Sequence, residues 1–154
     1  MNKALLLDRD GVINIEKHHA YLKEDFEFTE GIFDLCKEYS DLGFLIIVIT
    51  NQAGIAKGYY TEADFSKLTD WMIDQFREQG VIVSKVYHCP HHPDITGPCD
   101  CRKPNPGMLL KAIKEFDLDI SECVLLGDKE SDLQAGRNAG IPESNLIKYL
   151  PYPL

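Results

Sequence analysis

Short apolar runs alternate with stretches of helical periodicity along this chain, and that rhythm limits the possible folds more than any other feature. Ala4–Leu7, Phe44–Ile49, Val81–Tyr87, Cys123–Leu126 and Asn145–Ile147 read as strands. Between them the spacing predicts helices. Gly31–Leu42 carries Ile32, Leu35, Cys36 and Tyr39 at helical intervals, with Gly43 as its stop. Thr61, with Asp64 three residues on, caps a helix running to about Gln79 that sets Phe65, Leu68, Met72 and Phe76 on one face. Pro106–Phe116 opens with proline, and Ser131–Ala139 ends at Gly140. This repetition predicts an α/β fold: a doubly wound, mainly parallel sheet with helices on both faces and right-handed crossovers. Val12–Glu30 and His88–Lys103 fit neither period, and loops of that length in a compact domain usually carry function.

The chain has 154 residues, the size of one domain, and residues 1–154 are read as one. No apolar stretch is long enough to span a bilayer and no signal-peptide pattern opens the sequence, so a cytoplasmic protein is expected. A net charge of −9 argues against nucleic acid and anionic membrane as partners. An anionic small substrate then requires a local basic cluster. Five cysteines, an odd number, argue against a disulfide framework. Cys36 and Cys123 fall inside apolar patterns and read as buried thiols.

Polar clusters follow the strands. Asp8-Arg9-Asp10-Gly11 follows the first, Thr50-Asn51-Gln52-Ala53-Gly54 the second and Gly127-Asp128-Lys129-Glu130-Ser131-Asp132 the fourth, while Arg102-Lys103-Pro104 closes the Cys/His loop. A parallel sheet brings all of these to its carboxyl edge, where open α/β proteins bind ligands. The set meets the needs of phosphoryl transfer. Asp8 can attack phosphorus, and Asp10 can protonate the leaving alkoxide and then deprotonate water. Asp8, Asp128 and the backbone carbonyl of Asp10 can offer hard oxygens to Mg²⁺. Thr50 can bond a phosphate oxygen, and Lys103 can sit between phosphate and Asp8. Asp128 and Asp132, taken alone, also read as acids favoured by a helix N-terminus.

A second constellation runs Cys89-Pro90-His91-His92-Pro93, then Cys99-Asp100-Cys101. Cys89, His91, Cys99 and Cys101 form a ligand set suited to tetrahedral Zn²⁺ of a structural kind, with no open position. His88 and His92 are the rival imidazoles.

These strings resemble the four motifs of haloacid dehalogenase (HAD) superfamily phosphatases, from about Lys3 to Lys148. The longer strings, Thr50-Asn51-Gln52-Ala53-Gly54-Ile55-Ala56, Cys89-Pro90-His91-His92-Pro93 and Cys99-Asp100-Cys101-Arg102-Lys103-Pro104, resemble the heptose 1,7-bisphosphate 7-phosphatase branch, whose relatives include histidinol-phosphate phosphatases. The resemblance implies a capless Mg²⁺-dependent enzyme with a zinc-bound loop. It would remove the C7 phosphate of a heptose bisphosphate through an aspartyl-phosphate, in carbohydrate metabolism that feeds surface polysaccharide. It also implies Asp8 as nucleophile, Asp10 as general acid/base, and Thr50 and Lys103 as phosphoryl stabilisers. Asn51, Gln52, Arg102 and Lys129 would hold substrate, and His19 and Tyr21 would touch it. The zinc loop is expected to form one wall of the pocket, and a monomer is expected.

Two other readings use the same residues. A histidinol-phosphate phosphatase would act on a cationic substrate and want spare carboxylates, whereas Lys57, Arg102 and Lys129 suit a second phosphate. A phospho-accepting receiver module shares the acidic site, the Thr and the Lys, but its acceptor Asp would follow a middle strand of the sequence.

Overall fold

A computed structural model describes residues 1–149. Five strands, β1 (Ala4–Leu7), β2 (Leu45–Asn51), β3 (Val83–Cys89), β4 (Val124–Gly127) and β5 (Leu146–Lys148), form one sheet in the order β3-β2-β1-β4-β5. All neighbours run parallel, with Leu7 opposite Val48 on one side and Leu126 on the other. The first strand is thus the central one, and its end opens at the middle of the sheet edge.

Helices α1 (Ile32–Asp41), α2 (Glu62–Glu78), α4 (Gly107–Glu115) and α5 (Glu130–Ala139) cover the sheet, and α3 (Pro93–Thr96) is a single turn. Side chains alternate between the two faces, as a pleat requires. Leu5, Leu7, Ile46 and Val48 pack with Ile32 and Cys36 of α1 and Leu68, Met72 and Phe76 of α2. Ala4, Leu6, Ile47 and Ile49 pack with Met108, Leu109 and Ala112 of α4 and Leu133 and Ala135 of α5. The predicted face of α2 is buried as expected, and Thr61 and Asp64 form a reciprocal capping box.

Some boundaries differ from the sequence reading. β2 continues through Thr50 and Asn51 because β3 reaches further too, pairing Thr50 with His88 and Asn51 with Cys89. Val81 and Ile82 lie before β3, since the Val81 amide closes the end of α2 on Phe76 O at 2.9 Å. Pro106 caps α4 rather than starting it. Residues 12–30 do not form an open loop. Ile15 bonds Glu27 O, Thr29 bonds Ile13 O, and Asn14 bridges to Phe28, which folds the segment into a flap over the end of β1.

Candidate active site

Asp8 follows β1 directly, and its amide donates to Leu126 O at 3.2 Å. Its carboxylate accepts the Arg9 amide at 2.8 Å and faces the ammonium of Lys103 at 3.1 Å. Lys103 is buried. Its Nζ also meets Asp132 Oδ1 at 2.7 Å and Ile49 O at 2.8 Å. Burial alone would lower the Lys103 ammonium; Asp8 and Asp132 outweigh it and hold the pKa above the ordinary lysine value. For Asp8 the balance goes the other way. Burial is the largest influence, Lys103 pulls downward, Asp132 and Asp10 push upward, and the carboxyl rises to about 7. Asp128 rises to about 6, first from burial and then from Asp132.

Asp128 is brought close by Gly11. A Cβ at Gly11, whose φ is +91°, would lie 2.1 Å from Asp128 Oδ2, so only glycine fits the turn. Carboxylate oxygens of Asp8, Asp128 and Asp132 gather within 4.8 Å of one another, close enough to hold a metal ion. Asp128 Oδ1 is buried and has no hydrogen-bond partner among the described residues.

A cavity of about 650 Å³ opens over this edge. Of the expected residues, Asp8, Asp10, His19, Asn51, Gln52, Arg102, Lys103 and Lys129 line it, together with Lys57, Tyr60 and Glu16. Thr50, Tyr21 and Asp128 do not line it. Thr50 is buried, with its Oγ1 accepting Gln52 Nε2 at 2.9 Å, and Tyr21 stacks on Tyr60 with ring centroids 5.6 Å apart. The side chain of Asn51 pairs with the Lys103 backbone, its Oδ1 accepting the amide at 3.0 Å, which ties the lysine to the end of β2. Gln52 is equally engaged, donating to Asp10 Oδ2 at 3.0 Å. His18 and His19 both take left-handed backbone conformations, φ 44° and 65°. Such strain in a non-glycine loop is common beside functional cavities.

Sequence reasoning assigned no role to Arg9, Asn14 or Tyr60. In the sequence Asp132 reads only as a helix acid. It does serve the helix, accepting the Lys129 amide at 3.1 Å through Oδ2, and it also pairs with Lys103 through Oδ1. Its place four residues after Asp128, in the first turn of α5, is the available signal.

Cys89, His91, Cys99 and Cys101 converge as a second possible metal site. Cys89 Sγ lies 3.7 Å from Cys99 Sγ and 3.5 Å from His91 Nδ1; Cys101 Sγ lies 3.6 Å from Cys99 Sγ and 3.2 Å from His91 Nδ1. Burial pushes the Cys89 thiol up, whereas at Cys99 the Arg102 amide and neighbouring thiols outweigh burial and bring it to about 7. His88 and His92 are engaged elsewhere. His88 pairs with Glu62 at 2.8 Å, and His92 Nδ1 accepts the Asp94 amide at 3.1 Å. The wall predicted for the cavity is narrower than the whole loop: Arg102, Lys103 and Pro104 supply it, and Arg102 donates to His91 O at 3.2 Å. The cluster itself borders a separate groove of about 900 Å³ with Met108 and Leu110.

A parallel sheet with an Asp-x-Asp loop at its central strand, a buried lysine and a converging Asp on α5's approach defines a HAD-type phosphatase. A HAD-hydrolase-like family model matches residues 100–144. The chain is 55% identical over 139 residues to a D-glycero-α-D-manno-heptose-1,7-bisphosphate 7-phosphatase of Campylobacter jejuni, covering 90% of this chain and 78% of that protein. It is 42% identical over 152 residues to the β-anomer 7-phosphatase of Haemophilus influenzae, covering 96% and 83%. Among solved structures, the D,D-heptose 1,7-bisphosphate phosphatase of B. bronchiseptica, complexed with magnesium and phosphate, superposes with a TM-score of 0.80 at 27% identity, covering 96% of this chain and 93% of that one. The chain belongs to the heptose-1,7-bisphosphate 7-phosphatase family. Among the described residues, no helix is long and apolar enough to cross a membrane.

Proposed function

We propose that this protein removes the C7 phosphate of D-glycero-D-manno-heptose 1,7-bisphosphate, with Asp8 as nucleophile. The observation that carries the reading is the pairing of Asp8 with buried Lys103 on a cavity that Asp10 shares. Asp8 attacks phosphorus while the bond to the C7 oxygen breaks, and Asp10 gives its proton to that departing oxygen. Water then attacks the aspartyl-phosphate, Asp10 takes its proton, and the bond to Asp8 breaks to release phosphate. Lys103 offsets the repulsion between Asp8 and the incoming phosphate. Thr50, whose hydroxyl accepts from Gln52 Nε2 at 2.9 Å and donates to Asn51 O at 3.3 Å, would bond a phosphoryl oxygen by turning that donated hydrogen away from Asn51.

The acidic group fits Mg²⁺, which takes oxygen ligands and keeps several waters. Asp8, Asp128 and the Asp10 carbonyl would hold it. In support, Asp128 has a buried oxygen with no partner among the described residues, and burial raises the carboxyls of Asp8 and Asp128 to about 7 and about 6. Bound there, the cation would neutralise the carboxylates and draw charge from the phosphoryl oxygens. The Cys/His group fits structural Zn²⁺. Zn–S bonds of about 2.3 Å put tetrahedral sulfurs about 3.8 Å apart, against the 3.7 and 3.6 Å here. The ion would fix Arg102 through His91.

Lys57, Arg102 and Lys129 line the cavity beyond Lys103 and favour a second phosphate over a cationic substrate such as histidinol phosphate. A phosphate-release comparison of both heptose bisphosphate anomers with histidinol phosphate tests this. Faster turnover of either bisphosphate is expected; preference for histidinol phosphate would overturn it.

A further inference from the structure

Arg9, between the two motif aspartates, is 1% exposed and is not among the cavity-lining residues. Its guanidinium carbon lies 5.7 Å from the Phe26 ring centroid and 5.8 Å from that of Phe65. Both nitrogens that face Asp10 bond it. Nε reaches Oδ1 at 3.2 Å, and Nη2 reaches Oδ1 at 3.0 Å and Oδ2 at 3.1 Å. Nη2 also donates to Ala20 O at 3.1 Å, on the flap, and to Gln52 Oε1 at 3.4 Å.

Two amides complete the enclosure. Asn14 Nδ2 donates to Asp10 Oδ1 at 3.0 Å, and Gln52 Nε2 to Oδ2 at 3.0 Å. Gln52 is itself fixed, because the Tyr60 hydroxyl donates to its Oε1. Burial pushes the Tyr60 hydroxyl up to about 12, so it stays a donor at neutral pH. A buried guanidinium is costly unless its partner geometry is good, and a planar fork against a carboxylate sets the plane of that carboxylate as well as its position. The Asp10 side chain is 20% exposed, and it is the member of this network whose remaining surface faces the cavity as an acid.

We propose that Arg9 is a positioning residue for proton transfer by Asp10, with Gln52 and Tyr60 bracing its fork from the cavity side. The proposal rests on the reading of Asp10 as the general acid/base. Proton donation matters most when the leaving oxygen is basic, and well-placed general acid catalysis contributes about 10²–10⁴-fold. Arg9 and Tyr60 therefore affect poor leaving groups selectively, which a merely structural role would not do.

The test is kcat/KM across aryl phosphates of similar shape, from phenyl to p-nitrophenyl phosphate, for wild type, Arg9→Lys, Tyr60→Phe and Asp10→Asn. Arg9→Lys keeps the charge and loses the fork. It is expected to lower phenyl phosphate turnover about 10–100-fold and p-nitrophenyl phosphate far less, steepening the dependence on leaving-group pKa. Tyr60→Phe is expected to steepen it in the same direction by a smaller factor, and it removes only a hydroxyl, so it tests the idea if the Arg9 variant fails to fold. A uniform fall across the series, or none, in a folded Arg9→Lys or in Tyr60→Phe overturns the proposal when Asp10→Asn does steepen the dependence. If Asp10→Asn leaves the slope unchanged, the acid/base reading fails instead.

Discussion

Replacing Lys103 with methionine removes the ammonium that Asp8 and Asp132 share, at 3.1 and 2.7 Å, and leaves both carboxylates buried together. Removing one partner of a buried ion pair typically costs about 3–5 kcal/mol. The lost bond to Ile49 O belongs to the same total. For a domain of this size each kcal/mol lowers Tm by about 2–4 °C, so a fall of roughly 10 °C is expected at pH 8. The loss depends on pH with a definite sign. In the unfolded chain Asp8 releases its proton near 3.8, whereas burial first, opposed by Lys103, holds it to about 7 in the native protein. Because the native value is raised, wild-type stability falls as pH rises from 3.8 to about 7; without Lys103 the carboxyl would keep its proton to still higher pH, so the extra loss on mutation develops as pH rises through about 7. At pH 5 Asp8 carries its proton with or without Lys103, so the destabilisation should be smaller there than at pH 8, by up to about 1.4 kcal/mol for a pH one unit above the native value. Thermal unfolding of both proteins at pH 8 and pH 5, without added Mg²⁺, measures the difference. Equal losses at the two pH values, or less than about 1 kcal/mol at pH 8, would refute the assignment of Lys103 as the counterion of a titrating Asp8.

Mg²⁺ should raise the Tm of the wild-type protein at pH 8 and have little effect at pH 4, where Asp8 and Asp128, raised to about 7 and 6, both keep their protons; calorimetry with and without the ion reads this directly. Gly11→Ala forces a Cβ to within 2.1 Å of Asp128 Oδ2 at a φ of +91°, and should cost about 1–3 kcal/mol and lower phosphatase activity at least tenfold, checked by unfolding and phosphate release. Cys99→Ser should lose zinc by elemental analysis and raise KM more than it lowers kcat, because Arg102 is tethered to the cluster through His91 O.

The polar clusters were legible because each local signal points to the same place. An apolar run ending in Asp8-Arg9-Asp10-Gly11 puts acids at a strand end whatever surrounds it. The partners across the sheet were not legible. Gln52 meets Asp10 from 42 residues away, and Lys103 meets Asp132 from 29. Nothing in either neighbourhood announces these pairings. Asp132 carried an adequate local explanation as a helix acid, which hid its second use. Spacing alone could not separate His91 from His88. The strand does, because His88 and Cys89 are consecutive in β3 and point to opposite faces; Cys89 faces the core and His88 faces Phe65, with ring centroids 4.2 Å apart. The flap over residues 12–30 is not legible in the sequence because its bonds join Ile13 and Ile15 to residues more than ten positions away, without strand periodicity between them.

Rapid-quench turnover followed by peptide mapping tests the covalent step most directly. Acid-quenched enzyme should carry one phosphoryl group on the peptide containing Asp8, and Asp8→Asn should carry none while keeping its fold. Phosphoryl transfer found on another residue, or steady hydrolysis by Asp8→Asn, would contradict the account.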